Sequence, residues 1–391
     1  MKKVLCISLG WEQEPQLRAL SARADVALYG IHYHEPDLPG IHFEKVLTDD
    51  LRDLSRMAAF ANSIEPDAVI SDEDDYGAMV QALVAERFDL PGPRVAHAQL
   101  GANKFLQRTR AAQTGLKIPA FQLCSSLDDV VRFAQERSFP LMLKPVDNRG
   151  SIGASRVNSK VELSAAFSKA LCASPSWLVI AEDYIEGDHF NVDGYCFSGV
   201  PQALAVSRNV KSTREIVNDS IVYGDVPSNL RERLMREGER TARALGYNFG
   251  FFHGEFILSS SDGQIYLTEM ANRGGGILIS QLILPAVTNL DLVQIYIADC
   301  MRESISHPVI PQENYVRIDF AALDPGKVFA GFREQLATPQ LIKVVPFLKE
   351  GSVVPDIENG AQRHIMLVSS QRDSASIERL KESLQRAVIY K

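Results

Sequence analysis

The sequence lacks most of the features that would assign it to a specialised class of protein. It contains no basic run, and its net charge of −8 argues against nucleic acid or an anionic membrane as the main partner. No apolar run is long enough to span a membrane. Its five cysteines are scattered and form no C-x-x-C pair, so we expect reduced thiols in a cytoplasmic protein rather than disulfides or a zinc site.

Two common nucleotide-binding motifs are also missing. The first apolar strand is followed by Gly10, Trp11 and Glu12 instead of G-x-G-x-x-G, which argues against an NAD-binding enzyme. A lysine does precede a glycine-containing loop near residue 150, but no G-K-[ST] follows, so the loop is not a Walker A motif. A nucleotide, if one binds here, must therefore be held in another way.

The composition is that of an ordinary globular protein with several domains. The chain has 391 residues, 46% of them hydrophobic, which is enough for two or three domains. Residues 1–100 alternate short apolar strands with helical patterns, which predicts a Rossmann-like parallel α/β domain. The acidic stretch 71–75 follows the third strand, at the sheet edge where ligands collect in such folds.

The remainder divides into two further regions. The Pro/Gly-rich residues 90–94 mark a boundary, and residues 101–305 are predicted to form a second domain. Within it, residues 140–182 form a small α/β lobe that we expect to move as a lid. Residues 306–391 are predicted to form a smaller C-terminal α/β domain. The fold class is therefore α/β, with α+β character.

Two glutamates occur on the arms of one predicted β-hairpin, residues 251–258 and 264–269. If a three-residue loop, 261–263, closes the hairpin, Glu255 lies opposite Glu269. Opposed carboxylates repel, so a bound cation is the simplest reason to tolerate the pair. A loop one residue longer or shorter would send the two side chains to opposite faces, and that alternative stays open. His253 shares the face of Glu255, either as a satisfied strand histidine or as part of the same site.

Two further segments have the chemistry of a nucleotide site. Lys144 stands at the mouth of the glycine-containing loop 145–153, whose backbone amides could cradle a phosphate; the alternative is a simple hairpin turn. Residues 178–193 pass from an apolar strand into a polar hinge. There the Asp183 carbonyl and Ile185 amide could pair with a purine while Glu182 accepts from its amino group, unless the hinge is only a solvated strand end.

A third segment adds an arginine beside consecutive glycines. Arg273 precedes Gly274, Gly275 and Gly276, and its guanidinium offers a rigid fork for phosphate or carboxylate. Three glycines in a row lose backbone entropy on folding and make sense where the backbone approaches a ligand closely. The alternative is a flexible surface loop.

Taken in order, these motifs resemble the ATP-grasp superfamily, in particular its carboxylate-amine ligases such as L-amino acid ligases and the relatives of biotin carboxylase. The resemblance rests on residues 66–73, on Asn103 and Lys104, on residues 139–153, 181–187 and 254–276, and on 344–351 with 363–368. It implies an ATP-grasp fold with a mobile ATP lid, ATP and Mg²⁺ (or Mn²⁺) as cofactors, and small carboxylates and amines as substrates. A homodimer is a further expectation at the level of the family.

The resemblance also implies roles for individual residues. Nucleotide contacts fall to Lys104, Lys144, Ser151, Gly153, Glu182, Asp183, Ile185 and His189; metal contacts to Glu255, Glu269 and Asn272; and substrate contacts to Glu73, His253, Arg273, Gly275 and Gly276. Arg273 and Lys144 would be catalytic. Two positions depart from the family pattern. His189 stands where a ribose-binding glutamate is common, and Ala271 occupies the usual place of a metal-ligand asparagine, so Asn272 is shifted by one residue.

The implied activity is ATP-dependent amide formation through an acyl phosphate. One alternative is a carboxylase or purine-pathway enzyme that uses carboxyphosphate, although no M-K-M biotinylation motif is present. Another is a non-catalytic ATP-binding module. The acceptor pocket cannot be derived from the sequence; Glu73, Arg208, residues 211–217 and Ser280 are candidate contributors.

Overall fold

A computed structural model describes residues 1–72, 74–211, 218–304, 313–333, 340–357 and 359–391. The N-terminal part is a four-stranded parallel sheet with strand order β3-β2-β1-β4. The predicted alternation of strands and helices is confirmed, and β3 is an additional strand that the sequence pattern did not predict. The elements are β1 (Lys2–Ile7), α1 (Glu14–Ser21), β2 (Val26–His32), β3 (Lys45–Thr48), α2 (Leu54–Ile64), β4 (Ala68–Ile70) and α3 (Asp75–Arg87).

This sheet places the ends of two strands at one edge. β1 and β4 are parallel neighbours, so the residues that follow them, Ser8 and Ser71, leave the sheet on the same side. Helix α3 begins there because Asp74 accepts hydrogen bonds from the amides of Tyr76 and Gly77 at its N-terminus. Asp74 and Asp75 of the acidic stretch are therefore fixed at the carboxyl edge of the sheet.

The second part is a small lobe built on an antiparallel sheet with order β5-β8-β6-β7. Ser126 and Asp129 cap α6 reciprocally. The sheet also takes in β5, so the lobe starts before residue 140. Its elements and the two preceding helices are α4 (Val95–Ala102), α5 (Lys104–Gln113), β5 (Phe121–Cys124), α6 (Leu127–Gln135), β6 (Leu141–Pro145), β7 (Ser155–Val157), α7 (Leu163–Cys172) and β8 (Val179–Asp183).

The third part is an eight-stranded sheet with order β13-β12-β9-β10-β11-β14-β17-β16. Strands of the predicted C-terminal domain therefore extend the sheet that carries the glutamate hairpin. A π-helical turn, Ile279–Ile283, precedes α9. The elements are β9 (Gly187–Phe197), β10 (Val200–Val210), β11 (Ser220–Tyr223), α8 (Ser228–Leu245), β12 (Phe251–Ser259), β13 (Ile265–Ala271), α9 (Leu284–Thr288), α10 (Leu292–Cys300), β14 (Val316–Ala321), β15 (Phe329–Phe332), β16 (Leu341–Pro346), β17 (Ile365–Ser369), α11 (Ser374–Ala387) and β18 (Val388–Tyr390).

The two faces of this sheet differ because strand side chains alternate. On β12, Phe252 and Phe256 belong to an apolar cluster that also includes Leu234 and Leu245 of α8. The intervening residues His253 and Glu255 therefore lie on the opposite face. That face is apolar at Phe251 and Tyr195, which pack in a second cluster, and polar from His253 to Glu255. No helix in the described part of the chain is both long and apolar enough to cross a membrane.

Candidate active site

The glutamate hairpin has the predicted pairing but a different turn. Glu255 lies directly opposite Glu269, as expected. The predicted three-residue loop is wrong, because Ser259 pairs with Gln264 and the loop has four residues, 260–263. A β-bulge at Thr268 restores the register, since Phe256 pairs with Leu267 while Glu255 still pairs with Glu269. Gly263 has φ +66°, the positive value the turn was expected to need.

The two glutamates differ in exposure and in partners. The side chain of Glu255 is 49% exposed, whereas that of Glu269 is 26% exposed and accepts from Lys104 Nζ at 3.1 Å. Lys104 also donates to the Asn148 carbonyl at 2.6 Å. Lys104 thus ties the glutamate pair to the glycine loop, and the positive charge offsets part of the repulsion between the two carboxylates.

Behind Glu255, the polar face of the sheet is a connected hydrogen-bond network. Asp193 on β9 bonds His253 Nδ1 at 2.6 Å and accepts from the Tyr223 hydroxyl at 2.8 Å. His253 Nε2 lies 3.9 Å from Glu255 Oε1. Burial lowers the pKa of His253, but the adjacent Asp193 outweighs this, and the net shift is upward. Asp193 therefore orients His253 toward the glutamate pair. His253 is thus both a hydrogen-bonded strand histidine and a neighbour of Glu255, the two roles considered for it.

The glycine loop is anchored at its base and open at its tip. Asp147 accepts from Ser174 Oγ at 2.6 Å and from the Ser176 amide at 3.0 Å. The tip, with Gly150 and Ser151, is exposed and has positive φ at both residues. A methyl group on Gly153 would clash with Ala173 and Pro145, so glycine is required there by packing. This arrangement leaves the backbone of the tip available to an anion.

Lys144 forms part of a buried ion cluster. Its Nζ lies 2.7 Å from Glu182 Oε2, and Arg108 Nε lies 2.6 Å from Glu182 Oε1. Arg108 also donates to the Thr268 carbonyl, at the bulge of the glutamate hairpin. Burial alone would raise the pKa of Glu182, but the two cations outweigh it and hold the pKa at about 2. Both carboxylate oxygens of Glu182 are thus already engaged by protein cations.

The hinge after β8 has the free backbone amide that the purine prediction needs. The Asp183 amide donates to the Ala120 carbonyl at 3.0 Å. The Ile185 amide, two residues on, donates to no other backbone group within the described ranges. His189 follows on β9, where burial first and then Lys211 lower its pKa to about 4. His189 is therefore a neutral donor or acceptor at physiological pH.

Arg273 connects the central sheet to the acidic edge of the N-terminal sheet. Its Nε donates to Asp75 Oδ1 at 2.6 Å, and its Nη1 donates to the Gly274 carbonyl at 2.8 Å. Asp72 accepts from the Gly274 amide and from Ser280 Oγ, both at 2.5 Å. Glu12, after β1, accepts from the Ile277 amide. The acidic stretch singled out in the sequence thus meets the arginine–glycine segment.

The structure gives a packing reason for two of the three consecutive glycines. A methyl group on Gly274 would lie 2.9 Å from Asp72 Oδ1, and one on Gly275 would lie 2.9 Å from His253 Nδ1. Gly276 is less constrained, with Glu12 Oε1 at 3.4 Å from such a methyl. The backbone at these glycines therefore approaches side chains of the site closely, as expected of a ligand-facing segment. These side chains hold the segment in place beside Arg273.

Some predicted residues are placed elsewhere or lie outside the described ranges. Asn272 Nδ2 donates to the carbonyls of Phe249 and of Phe251, the first residue of β12, and no bond to Glu255 or Glu269 is present among the described residues. Its role as a metal ligand stays a prediction. Arg208 pairs with Asp225. Glu73 and residues 212–217 lie outside the described residues.

The residues present fit a magnesium nucleotide. Among the described residues no group of three or more His, Cys, Asp or Glu side chains is placed to hold a metal ion by itself. Two opposed carboxylates suit Mg²⁺ nonetheless, because this ion is commonly held by one or two carboxylates together with phosphate oxygens and water. Lys104, Lys144 and the open tip of the glycine loop add positive groups on the side where phosphates would be held.

Several residues of the site were not predicted. Arg108, Asp193 and Asp75 each bond a predicted residue, and Tyr223 bonds Asp193. For Asp193 the signal was present in the sequence, since it alternates with His189 and Asn191 on one face of a long strand. For Arg108 a signal was also present, because on a helix it lies four residues after Lys104, on the same face. Tyr223 has no such signal, since its contact depends on the pairing of β10 with β11.

Comparison with known proteins identifies one domain and a set of relatives. Residues 137–281 match the family model of the ATP-grasp domain. Over 207 residues the chain is 27% identical to a D-alanine--D-alanine ligase of Ralstonia pickettii, covering 50% of this chain and 61% of that protein. It is 27% identical over 197 residues to the D-alanine--D-alanine ligase of Geobacter sulfurreducens, covering 49% and 61%. The chain thus spans less than two thirds of the length of these relatives.

Solved structures are similar over the whole chain. The L-amino acid ligase of Bacillus licheniformis superposes with a TM-score of 0.80 at 18% identity, covering 100% of this chain and 98% of that one. The biotin carboxylase domain of the Hydrogenobacter thermophilus 2-oxoglutarate carboxylase, solved as a dimer with MgADP and bicarbonate, has a TM-score of 0.77 at 16% identity, with 100% and 90% coverage. The predicted fold is confirmed, and residues 137–281 match the family model of the ATP-grasp domain.

Proposed function

We propose that this protein is an ATP-dependent carboxylate-amine ligase that forms an amide bond through an acyl phosphate. The observation that carries the proposal is the pairing of Glu255 with Glu269 beside Lys104, in the domain that matches the ATP-grasp family. The D-alanine--D-alanine ligases and the L-amino acid ligase to which the chain is similar support the same reaction class. The substrates are a small carboxylic acid and an amine.

The reaction has two balanced steps. A carboxylate oxygen attacks the γ-phosphorus of ATP, and the bond to the β-phosphate oxygen breaks, which gives ADP and an acyl phosphate. The amine nitrogen then attacks the acyl carbon and loses a proton, and phosphate leaves with one oxygen of the original carboxylate. Mg²⁺, held by Glu255 and Glu269, would offset charge on the phosphates during the first step.

The residues of the chain have positioning and electrostatic roles in this scheme. Lys104 brings a positive charge to the junction of the glutamate hairpin and the glycine loop. Lys144, which is held in place by its ion pair with Glu182, would bind the phosphates. Arg273, fixed by Asp75, would bind the reacting carboxylate or its phosphate. The lobe around residues 140–182 would close to exclude water, because acyl phosphates hydrolyse readily.

The test is a phosphate-release assay over a matrix of carboxylic acids and amino acids, with products identified by mass spectrometry. A productive pair is then repeated with ¹⁸O-labelled carboxylate, and we expect one ¹⁸O atom in the released phosphate. Bicarbonate-dependent release would favour a carboxylase instead. Nucleotide binding without turnover of any pair would favour a binding module.

Glu269→Gln sharpens this test. We expect a fall in ligase turnover on the order of 10³-fold, because one of the two carboxylates that face the phosphates loses its charge. Glu232→Gln, on the exposed surface of α8, is the matched control and should leave turnover unchanged. Near-normal turnover of the Glu269 variant would contradict the metal assignment.

We also propose a cytoplasmic location and a homodimer. The location is supported by the five cysteines, all of them free thiols and four of them buried. The dimer is supported only by the dimeric biotin carboxylase domain to which the fold is similar. Sedimentation of the purified protein measures the oligomeric state directly.

A further inference from the structure

Arg363 is a partly buried arginine whose charge has no carboxylate partner in the described part of the chain. It stands just before β17, and its Cζ lies 3.6 Å from the centroid of the Phe320 ring. Its Nε is buried and has no hydrogen-bond partner, and its guanidinium forms no ion pair within the described part of the chain. A guanidinium normally persists in such a place only if something binds it, because a buried unpaired charge is unfavourable.

Three other arginines with little exposed side chain in the described part of the chain are neutralised by carboxylates. Arg108 pairs with Glu182, Arg273 with Asp75, and Arg317 with Asp319. Arg363 differs from all three. Burial lowers the pKa of its guanidinium to about 10, with Glu255 and Asp219 acting in the opposite direction. Glu255 is therefore close enough to act on Arg363, yet the two side chains form no direct bond.

Arg363 also lies beside the tip of the glycine loop. The Gly360 amide donates to the Gly150 carbonyl at 3.3 Å. A methyl group on Gly360 would lie 3.5 Å from that carbonyl oxygen and 3.9 Å from Arg363 Cζ. The guanidinium thus lies beside the exposed tip of the glycine loop, and the negative charge of Glu255, a proposed metal ligand, acts on it.

The group that fits between these neighbours carries several negative charges and binds a metal ion on its far side. We propose that Arg363 binds the phosphoryl group that is transferred from ATP, so that the C-terminal segment supplies a catalytic arginine to a site built by the rest of the chain. The guanidinium fork would bond two phosphoryl oxygens and offset the charge that develops on them during transfer. The inference rests on the nucleotide-binding part of the proposed function.

If Arg363 binds the transferred phosphoryl group, its loss should weaken the binding of nucleotides that carry a γ-phosphate more than the binding of ADP. Both affinities can be measured without any turnover. Calorimetric titration of the full chain with MgADP and with the magnesium complex of the non-hydrolysable analogue AMP-PNP gives a ratio of two dissociation constants. We expect Arg363→Met to weaken AMP-PNP binding about 10-fold or more, because charge-assisted bonds to the terminal phosphate are lost, while ADP binding changes less than about 2-fold. Methionine keeps an apolar stem for packing on Phe320.

Arg372→Met is the matched control. Arg372 also stacks on a ring, with Cζ 4.3 Å from the Tyr315 centroid, but it lies beyond the opposite end of β17. We expect its variant to keep the wild-type ratio. Thermal unfolding of both variants reports any change in packing, and Arg363→Lys, which retains charge without the fork, should fall between wild type and Arg363→Met.

The other outcomes separate failure of this proposal from failure of the proposed function. Equal weakening of ADP and AMP-PNP binding would make Arg363 a structural residue, and unchanged binding of both nucleotides would remove it from the phosphate site; both leave the ligase assignment standing. If the wild-type chain binds neither nucleotide, the proposed function fails together with the role of Arg363. If Arg363→Met selectively weakens AMP-PNP binding but the wild-type chain shows no ligase turnover, the ligase assignment fails and the contact between Arg363 and the phosphate stands.

Discussion

Two carboxylates of the site are buried to the same degree and differ in what binds them. Glu182 is 1% exposed and is held by two cations, Arg108 and Lys144, whereas Asp72 is 2% exposed and is held by neutral donors, the Gly274 amide and the Ser280 hydroxyl. The pKa of Glu182 is held at about 2. Burial raises that of Asp72 to about 7, despite the hydrogen bonds that act against the shift.

The difference shows that partners, not depth, decide the charge of a buried acid. The Glu182 cluster joins α5, β6 and β8, which all border the predicted nucleotide hinge, so its ionisation is set before any ligand arrives. Asp72 joins the N-terminal sheet to the segment after Arg273. Its contacts therefore hold two parts of the chain together through a group that titrates near neutral pH.

The largest effect is expected from removing a cation at the Glu182 end. Arg108→Met leaves a buried carboxylate with one cation and should lower the free energy of unfolding by about 3–5 kcal/mol. Urea unfolding measures this. Arg240→Met is the matched control, since Arg240 is half exposed and pairs with Glu237, and its loss should be at most about 1 kcal/mol. Equal losses in the two variants would show that Glu182 is less dependent on its partners than its burial implies.

The acid dependence of stability should separate the two carboxylates next. The folded-state pKa of Glu182 lies below its ordinary value of 4.5, so its contribution is present in full above about pH 4.5 and is lost as the pH falls toward about 2. We expect the difference in unfolding free energy between wild type and Glu182→Gln to shrink on acidification from about pH 5 to about pH 3. A difference that is constant across this range would contradict the pKa assignment.

The sequence was sufficient for the order of elements and for residues whose positions depend on local spacing. The pairing of Glu255 with Glu269 was predicted correctly, although the loop is one residue longer than predicted, because an unpredicted bulge at Thr268 compensates for the extra residue. Bulges leave no composition signal, so a register derived from loop length alone is correct only when such compensation occurs.

The sequence was insufficient where contacts join distant segments. Asp72 and Asp75 were noticed as an acidic stretch, but their bonds to residues 273–280 depend on how the N-terminal sheet packs against the central one. Arg108 and Arg363 are similar cases, since an arginine on a helix or at a strand end is usually solvated. Tertiary packing alone determines that Arg108 is buried and that Arg363 is partly buried at the site.

Asp72 should give the next largest effect, with the opposite sign of pH dependence. Its folded-state pKa of about 7 lies above the ordinary 3.8, so the folded state binds the extra proton and wild-type stability falls as the pH rises through that interval. Asp72→Asn cannot titrate. We therefore expect the stability of wild type relative to Asp72→Asn to decline from about pH 5 to about pH 8, measured by urea unfolding. A difference that stays constant over the same interval would place Asp72 with Glu182 as a stabilised anion.

The smallest effect tests the neutral donors themselves. Ser280→Ala removes the hydroxyl that donates to Asp72 at 2.5 Å and should cost about 1 kcal/mol at about pH 8, where the carboxylate is charged, and less at about pH 5. Thr241→Val is the matched control, because its buried hydroxyl has no hydrogen-bond partner in the described part of the chain and its replacement should be neutral or stabilising. If the two variants lose the same stability at both pH values, the Ser280 hydroxyl does not bind an ionised carboxylate. The contrast between Glu182, which is bound by cations, and Asp72, which is bound by neutral donors, then fails for Asp72.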